Sequence, residues 1–167
     1  ADRRLARARI EEEKTYLVVG CPPCTAFSAL QAHNEQRAGT GLSARQLAEA
    51  RVLLGFAIEI YQLQLRAGRH FLHEHPASAS SWADPRMVRL RQDERVGEVV
   101  GDQCRYGLVT RGPDGTRVPA RKPTRFLSSS SYILDRRSLR CRGVHARQPL
   151  LGGGRASAAA IYLSGLC

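Results

Sequence analysis

The chain has very little lysine, no long apolar run and no dense set of cysteines. Lys14 and Lys122 are its only lysines, so its 26 basic residues are nearly all arginine; against 15 acidic residues they leave a formal net charge of +11. No window approaches the roughly 20 apolar residues of a membrane-crossing helix, and no apolar leader region follows the start. The sequence therefore reads as that of an intracellular protein, nuclear or cytoplasmic and not secreted, without a membrane partner. Its five cysteines, Cys21, Cys24, Cys104, Cys141 and Cys167, are odd in number and scattered. That excludes the disulfide framework of a small secreted domain and leaves reduced thiols, at least one of them reactive or metal-bound, as the expectation. No internal repeat is present.

What is abundant is arginine. Its planar fork bonds two phosphate oxygens at once and keeps its charge at any cellular pH, so the excess favours a polyanionic partner, nucleic acid in particular. A GC-rich coding sequence produces the same bias, with many of the side chains simply solvated. At 167 residues the chain has the size of a single domain, 1–167. It begins at Ala1 and stops at Cys167 directly behind an apolar segment, as a piece truncated at both ends would.

Residues 1–14 have helical spacing and mixed charge and read as an exposed leading helix. TYLVV at 15–19 is a short apolar run without polar alternation, the pattern of a strand covered on both faces, and it ends at Gly20 and two prolines. Ser43 and Gln46 form a capping box, after which Leu47, Leu54, Ile58, Tyr61 and Leu65 recur at helical spacing as far as Gly68. HFLHE at 70–74, closed by Pro76, reads as a second strand. Strand, crossover helix and strand make a βαβ unit, with both strand ends at the one edge of the sheet where ligands bind in open α/β folds. Asp84 and Pro85 open a short basic helix at 84–92. Residues 97–127 read as an antiparallel hairpin with a long basic tip. The fold expected is α/β, a partial Rossmann-like sheet with a βαβ unit and a β-hairpin, its core at 15–127 and an irregular basic region at 128–167.

Three constellations bear chemistry. Cys24 and Glu74 each follow a strand of the βαβ unit, which brings a thiol and a carboxylate to one sheet edge. Cys24 is then either a nucleophile of lowered pKa or a small packed residue, and Glu74 either an acid or a partner for a nearby arginine. Cys21-x-x-Cys24 and Cys141-x-x-x-His145 are two zinc half-sites that together make a Cys₃His set, although prolines fill the first gap and over a hundred residues separate the halves. His70, His73 and His75 surround Glu74, but strand alternation puts His73 and His75 on the face opposite it, and they read as packing residues. A nucleobase-deaminase pattern fails, because Pro23-Cys24 lacks its second cysteine downstream and His73-Glu74 has no intervening residue.

Pro22-Pro23-Cys24-Thr25-Ala26-Phe27-Ser28 behind an apolar strand resembles the nucleophile loop of DNA cytosine-5 methyltransferases. Phe71-Leu72-His73-Glu74-His75-Pro76 is similar to that family's strand ending in Glu-Asn-Pro or Glu-Asn-Val. Gln103-Cys104-Arg105-Tyr106-Gly107 and Arg121-Lys122-Pro123-Thr124-Arg125 resemble the Cys-x-Tyr-Gly and Lys-Pro-Thr elements of its phage-like and retroelement-like branch. Cys141, His145, Gly152-Gly153 and the stretch from Tyr162 to Cys167 resemble the end of that branch. The resemblance runs from about residue 15 to the C-terminus and implies a catalytic-core fragment of a methyltransferase domain from a mobile element. It implies a flipped cytosine attacked at C6 by Cys24 and held and protonated at N3 by Glu74, with methyl donated by S-adenosylmethionine. Arg105, Arg121, Lys122 and Arg125 would then contact the nucleic acid, and residues 128–167 would form a target-recognition-like tail. His75 stands where the family has asparagine, Cys21 where glycine is common, and residues 1–14 carry none of the family's glycine-rich cofactor turn. The residues also admit a non-catalytic nucleic-acid-binding module or a zinc-stabilised structural domain.

Overall fold

The computed structural model describes residues 2–28, 43–112, 114–145 and 150. The leading charged segment is helix α1 (Arg3–Glu12), capped by the Asp2 side chain on the Arg4 amide and burying none of its residues. Strand β1 (Leu17–Gly20) leads into helix α2 (Ala44–Arg66), whose capping box is the one expected: Ser43 accepts from the Gln46 amide, and the Gln46 side chain accepts from Ser43 N–H at 2.9 Å. Leu54, Ile58, Tyr61 and Leu65 of α2 are buried in the main core with Phe71, Trp82, Met87 and Leu127.

Strand β2 (His70–Pro76) runs parallel to β1, Leu17 opposite His70 through Gly20 opposite His73. The start of this βαβ unit is locked by Gln64, which has no exposed surface. Its amide donates to the carbonyls of Thr15 at 2.8 Å and His70 at 2.9 Å. This buried side-chain amide ties the helix end to the entry of β1 and the start of β2, and losing it would leave two partly buried carbonyls without their donor.

Helix α3 (Pro85–Arg91) starts as its sequence requires, with Asp84 capping the Arg86 amide and Pro85 at the first position. Strand β3 (Gly97–Asp102) and strand β6 (Pro123–Ser128) form the antiparallel hairpin, and its tip holds a small ribbon of β4 (Val109–Arg111) and β5 (Arg117–Pro119). The hairpin joins the βαβ unit through β6, which pairs antiparallel with β2, so the order is β1-β2-β6-β3. The architecture is a mixed α/β sheet. Its second face carries Leu72 and Phe126, covered by helix α4 (Ser131–Arg137) through Leu134.

Two expectations are corrected. The β1 run does not belong to a strand covered on both faces: its one described neighbour is β2, and Val19 is 59% exposed. A β-branched run suits an edge strand as well as a central one, because strand propensity reflects the pleat more than burial. The region from 128 is not irregular throughout, since α4 lies within it. Two helical turns are too short for a 3.6-residue period to show, and the serines before them read as loop. The remainder of the expected tail, including Gly152, Gly153, Tyr162 and Cys167, lies outside the described residues. Among the described residues no helix is long and apolar enough to cross a membrane.

Candidate functional site

The loop behind β1 is held from two sides. Phe27, 5% exposed, enters the main core at the end of a short 3₁₀ turn (Thr25–Phe27), and the Phe27 amide closes on the Cys24 carbonyl at 3.0 Å. On the other side, the Pro22 carbonyl meets His75 Nε2 at 2.8 Å. Cys24 sits between these anchors, half-buried, while Cys21 is exposed. Gly20 is required at the strand end for a steric reason: a Cβ there would run into the Tyr61 hydroxyl.

The parallel pairing of β1 and β2 places the Cys24 loop and Glu74 at the same sheet edge. Burial raises the Cys24 thiol above its ordinary value; Lys122 works against that, and Glu74 adds to it. Cys24 therefore feels both charges, a carboxylate and an ammonium acting on it in opposite senses. Glu74 is 5% exposed and lies on the sheet face of Leu72. Lys122 reaches the edge because it directly precedes β6, the strand inserted next to β2. Chemically, the ammonium favours thiolate and the carboxylate opposes it, so a change in either charge moves the balance.

The histidines form a packed layer on the other face. His73 Nδ1 and the Tyr61 hydroxyl share a hydrogen bond at 2.9 Å, and Tyr61 stacks on Phe71 with ring centroids 4.5 Å apart. His75 Nδ1 lies 2.6 Å from Ser81 Oγ. Because its Nε2 faces a carbonyl, it donates there, which leaves Nδ1 to accept from the serine. Burial holds both imidazoles below their ordinary pKa, His73 strongly so. His70 is separate, half-buried beside Ser129 Oγ at 3.3 Å. The packing role expected for His73 and His75 is thus observed, with one addition: His75 positions the Cys24 loop. No sequence signal indicated that, since the acceptor is a backbone carbonyl 53 positions away.

The arginines expected at a nucleic-acid surface are engaged within the fold. Arg125 pairs with Glu98 at 3.2 Å and lies over the Trp82 ring at 5.2 Å. Arg121 pairs with Asp102 at 3.3 Å, and Arg105 donates to the Arg140 carbonyl at 3.1 Å. Each has a structural task, and these three guanidiniums are not a free stripe.

The structure assembles a second constellation that the sequence divided wrongly. Cys141 and His145 come together, Sγ and Nε2 3.2 Å apart, but their companion is Cys104, with donor atoms of all three within 4.8 Å of one another. Cys21 and Cys24 are not part of that group. Spacing suggested a pair of local half-sites, whereas Cys104 is delivered by a 3₁₀ turn (Gln103–Tyr106) that follows β3. Its partner segment follows α4, which packs against that strand.

Comparison with known protein families, with characterised proteins and with solved structures finds no match to this chain.

Proposed function

We propose that the chain is a DNA cytosine-5-methyltransferase-like domain in which Cys24 is the nucleophile and Glu74 its acid and hydrogen-bond partner. The observation that carries this reading is the convergence of Cys24, Glu74 and Lys122 at the carboxyl edge of two parallel strands. A cytosine in a duplex is reached only when it is turned out of the stack. Cys24 Sγ would bond to its C6 while the displaced π electrons move into the ring. Glu74, close to the same site and nearly dry, would hold N3 and supply a proton there, so that negative charge does not accumulate. Lys122 would lower the cost of the thiolate, against the burial that raises it.

The residues ahead of β1 do not fit S-adenosylmethionine. Residues 2–16 contain no glycine, and α1 within them is a charged helix with no buried face.

A second reading, a non-catalytic nucleic-acid-binding module, is favoured by the raised Cys24 thiol, since a resting nucleophile is usually poised as thiolate. One experiment separates the two. DNA carrying 5-azacytosine accepts a thiol at C6 without any methyl donor, because its ring is electron-poor. The methyltransferase-like reading expects a covalent protein–DNA adduct that survives denaturation, is lost in Cys24→Ser and is reduced at least tenfold in Glu74→Gln. Salt-sensitive binding with no adduct, unchanged by either substitution, would establish the binding module instead.

A further inference from the structure

We propose that Cys104, Cys141 and His145 bind one soft divalent cation of the zinc class through two thiolates and one imidazole. Their donor atoms already lie within 4.8 Å of one another. Two sulfurs and one imidazole nitrogen select zinc or its soft relatives over magnesium and calcium, which take oxygen ligands. Three protein ligands leave a fourth position of a tetrahedral ion for water.

The surroundings are built to hold this arrangement. Asp102 has no exposed surface and directly precedes the turn that carries Cys104. Its Oδ2 accepts from the Cys141 amide at 2.8 Å and from Arg140 Nε at 3.0 Å, while its own amide donates to the Leu139 carbonyl at 2.9 Å. The Tyr106 hydroxyl accepts from the Leu139 amide and donates to the Arg136 carbonyl, each at 3.1 Å. Gly143 turns the chain at φ 74°, and its amide points at Cys141 Sγ at 3.4 Å, so the segment returns to bring His145 back. Each of these bonds joins the Cys104 turn to the Cys141 segment or shapes one of them, and apart from the Gly143 amide on Cys141 Sγ none of them occupies a ligand atom. Conserving ligand geometry through such outer partners is how metal sites are tuned.

The need for such a clip follows from burial. From Ser138 to His145 no residue is buried, so this segment has no apolar core to anchor it. A metal cross-link supplies the anchor in its place. The site is remote in composition from Cys24 and Glu74, and it stands or falls independently of the reaction proposed for them.

The test is metal analysis of the full chain purified with reductant and without chelator, followed by replacement of the metal with cobalt(II). One zinc per chain is expected, with a thiolate-to-cobalt charge-transfer absorption that vanishes in Cys104→Ser and Cys141→Ser and persists in Cys21→Ser/Cys24→Ser. Asp102→Asn should weaken zinc about tenfold or more, as loss of an outer partner does. X-ray absorption at the zinc edge of the unaltered protein should count two sulfur ligands, a measurement that does not depend on any variant folding. Reduced protein that binds no metal would overturn the proposal. So would an absorption lost in Cys21→Ser/Cys24→Ser, a count of four sulfurs or none, or a Cys104–Cys141 disulfide that persists in reductant.

Discussion

His75 Nε2 donates to the Pro22 carbonyl across 2.8 Å and so ties the second strand of the βαβ unit to the loop that carries Cys24. The same ring accepts from Ser81 at its other nitrogen, so neither nitrogen of this buried imidazole is idle. Next to it in sequence, Glu74 faces the opposite side of the sheet. A single strand thereby positions the loop from one face and offers a carboxylate to it from the other.

Removing that tie should loosen the loop. His75→Ala leaves the half-buried Pro22 carbonyl and the buried Ser81 hydroxyl without this partner, at a cost of about 1–3 kcal/mol. Denaturant melting should register the loss. Alkylation of Cys24, followed by peptide mass spectrometry, should accelerate severalfold. His75→Gln, which can still donate to Pro22, should recover part of both effects. An alkylation rate identical in all three proteins would show that the bond does not govern the loop.

The buried histidines set an acid limit on stability. Burial lowers the folded-state pKa of His73 and His75 below the ordinary value of about 6.5. Below that value the unfolded chain takes up protons that the folded chain refuses, so stability falls as the pH drops. It should be constant with respect to these two groups above about pH 7 and decline from about pH 6.5 downward. His75→Gln should flatten part of that decline. Urea midpoints measured from pH 7.5 to 5 give the comparison, and an equal slope with and without the histidine would exclude it as a source.

The thiol of Cys24 should be sluggish at rest. Burial raises its pKa above the ordinary thiol value, Lys122 opposes and Glu74 reinforces the shift. The pH–rate profile of Cys24 alkylation should therefore have its midpoint above that of an ordinary exposed thiol. Lys122→Met should move the midpoint upward and Glu74→Gln downward, opposite signs from two neighbours. Movement in the same direction for both would mean that the three groups do not interact as described.

Gly20 and Tyr61 should behave as a coupled pair. A side chain at Gly20 meets the Tyr61 hydroxyl, and overpacking of this kind costs about 1–3 kcal/mol. Gly20→Ala should be destabilising by that amount. Tyr61→Phe alone should also destabilise, because His73 Nδ1 loses its hydrogen-bond partner, yet in Gly20→Ala/Tyr61→Phe the two losses should be less than additive. Additivity in a double-mutant cycle would argue against the close approach.

Local chemistry carried a large part of this fold. The capping box at Ser43 and Gln46, the Asp84-Pro85 helix start and the helical spacing from Leu47 to Leu65 are local signals, and each element formed where its residues required. The βαβ unit followed because a strand, a long amphipathic helix and a second strand have few ways to pack. Cys24 and Glu74 could be placed at one edge for the same reason.

Partnerships over long sequence distances were decided only by the tertiary structure. That β6 rather than β3 lies against β2, that among the described residues β1 stands at the edge with Val19 exposed, and that Lys122 thereby acts on Cys24 are matters of strand pairing, which period-2 patterns do not encode. The arginines could be counted from the sequence, but only packing revealed Arg125 over Trp82 and Arg121 on Asp102. Likewise Cys141 and His145 announced themselves by spacing, whereas Cys104 joined them because α4 folds back on β3 and Asp102 holds the returning chain. A sequence displays the groups within a turn or two of each other; which distant side chains share a site depends on how the sheet closes.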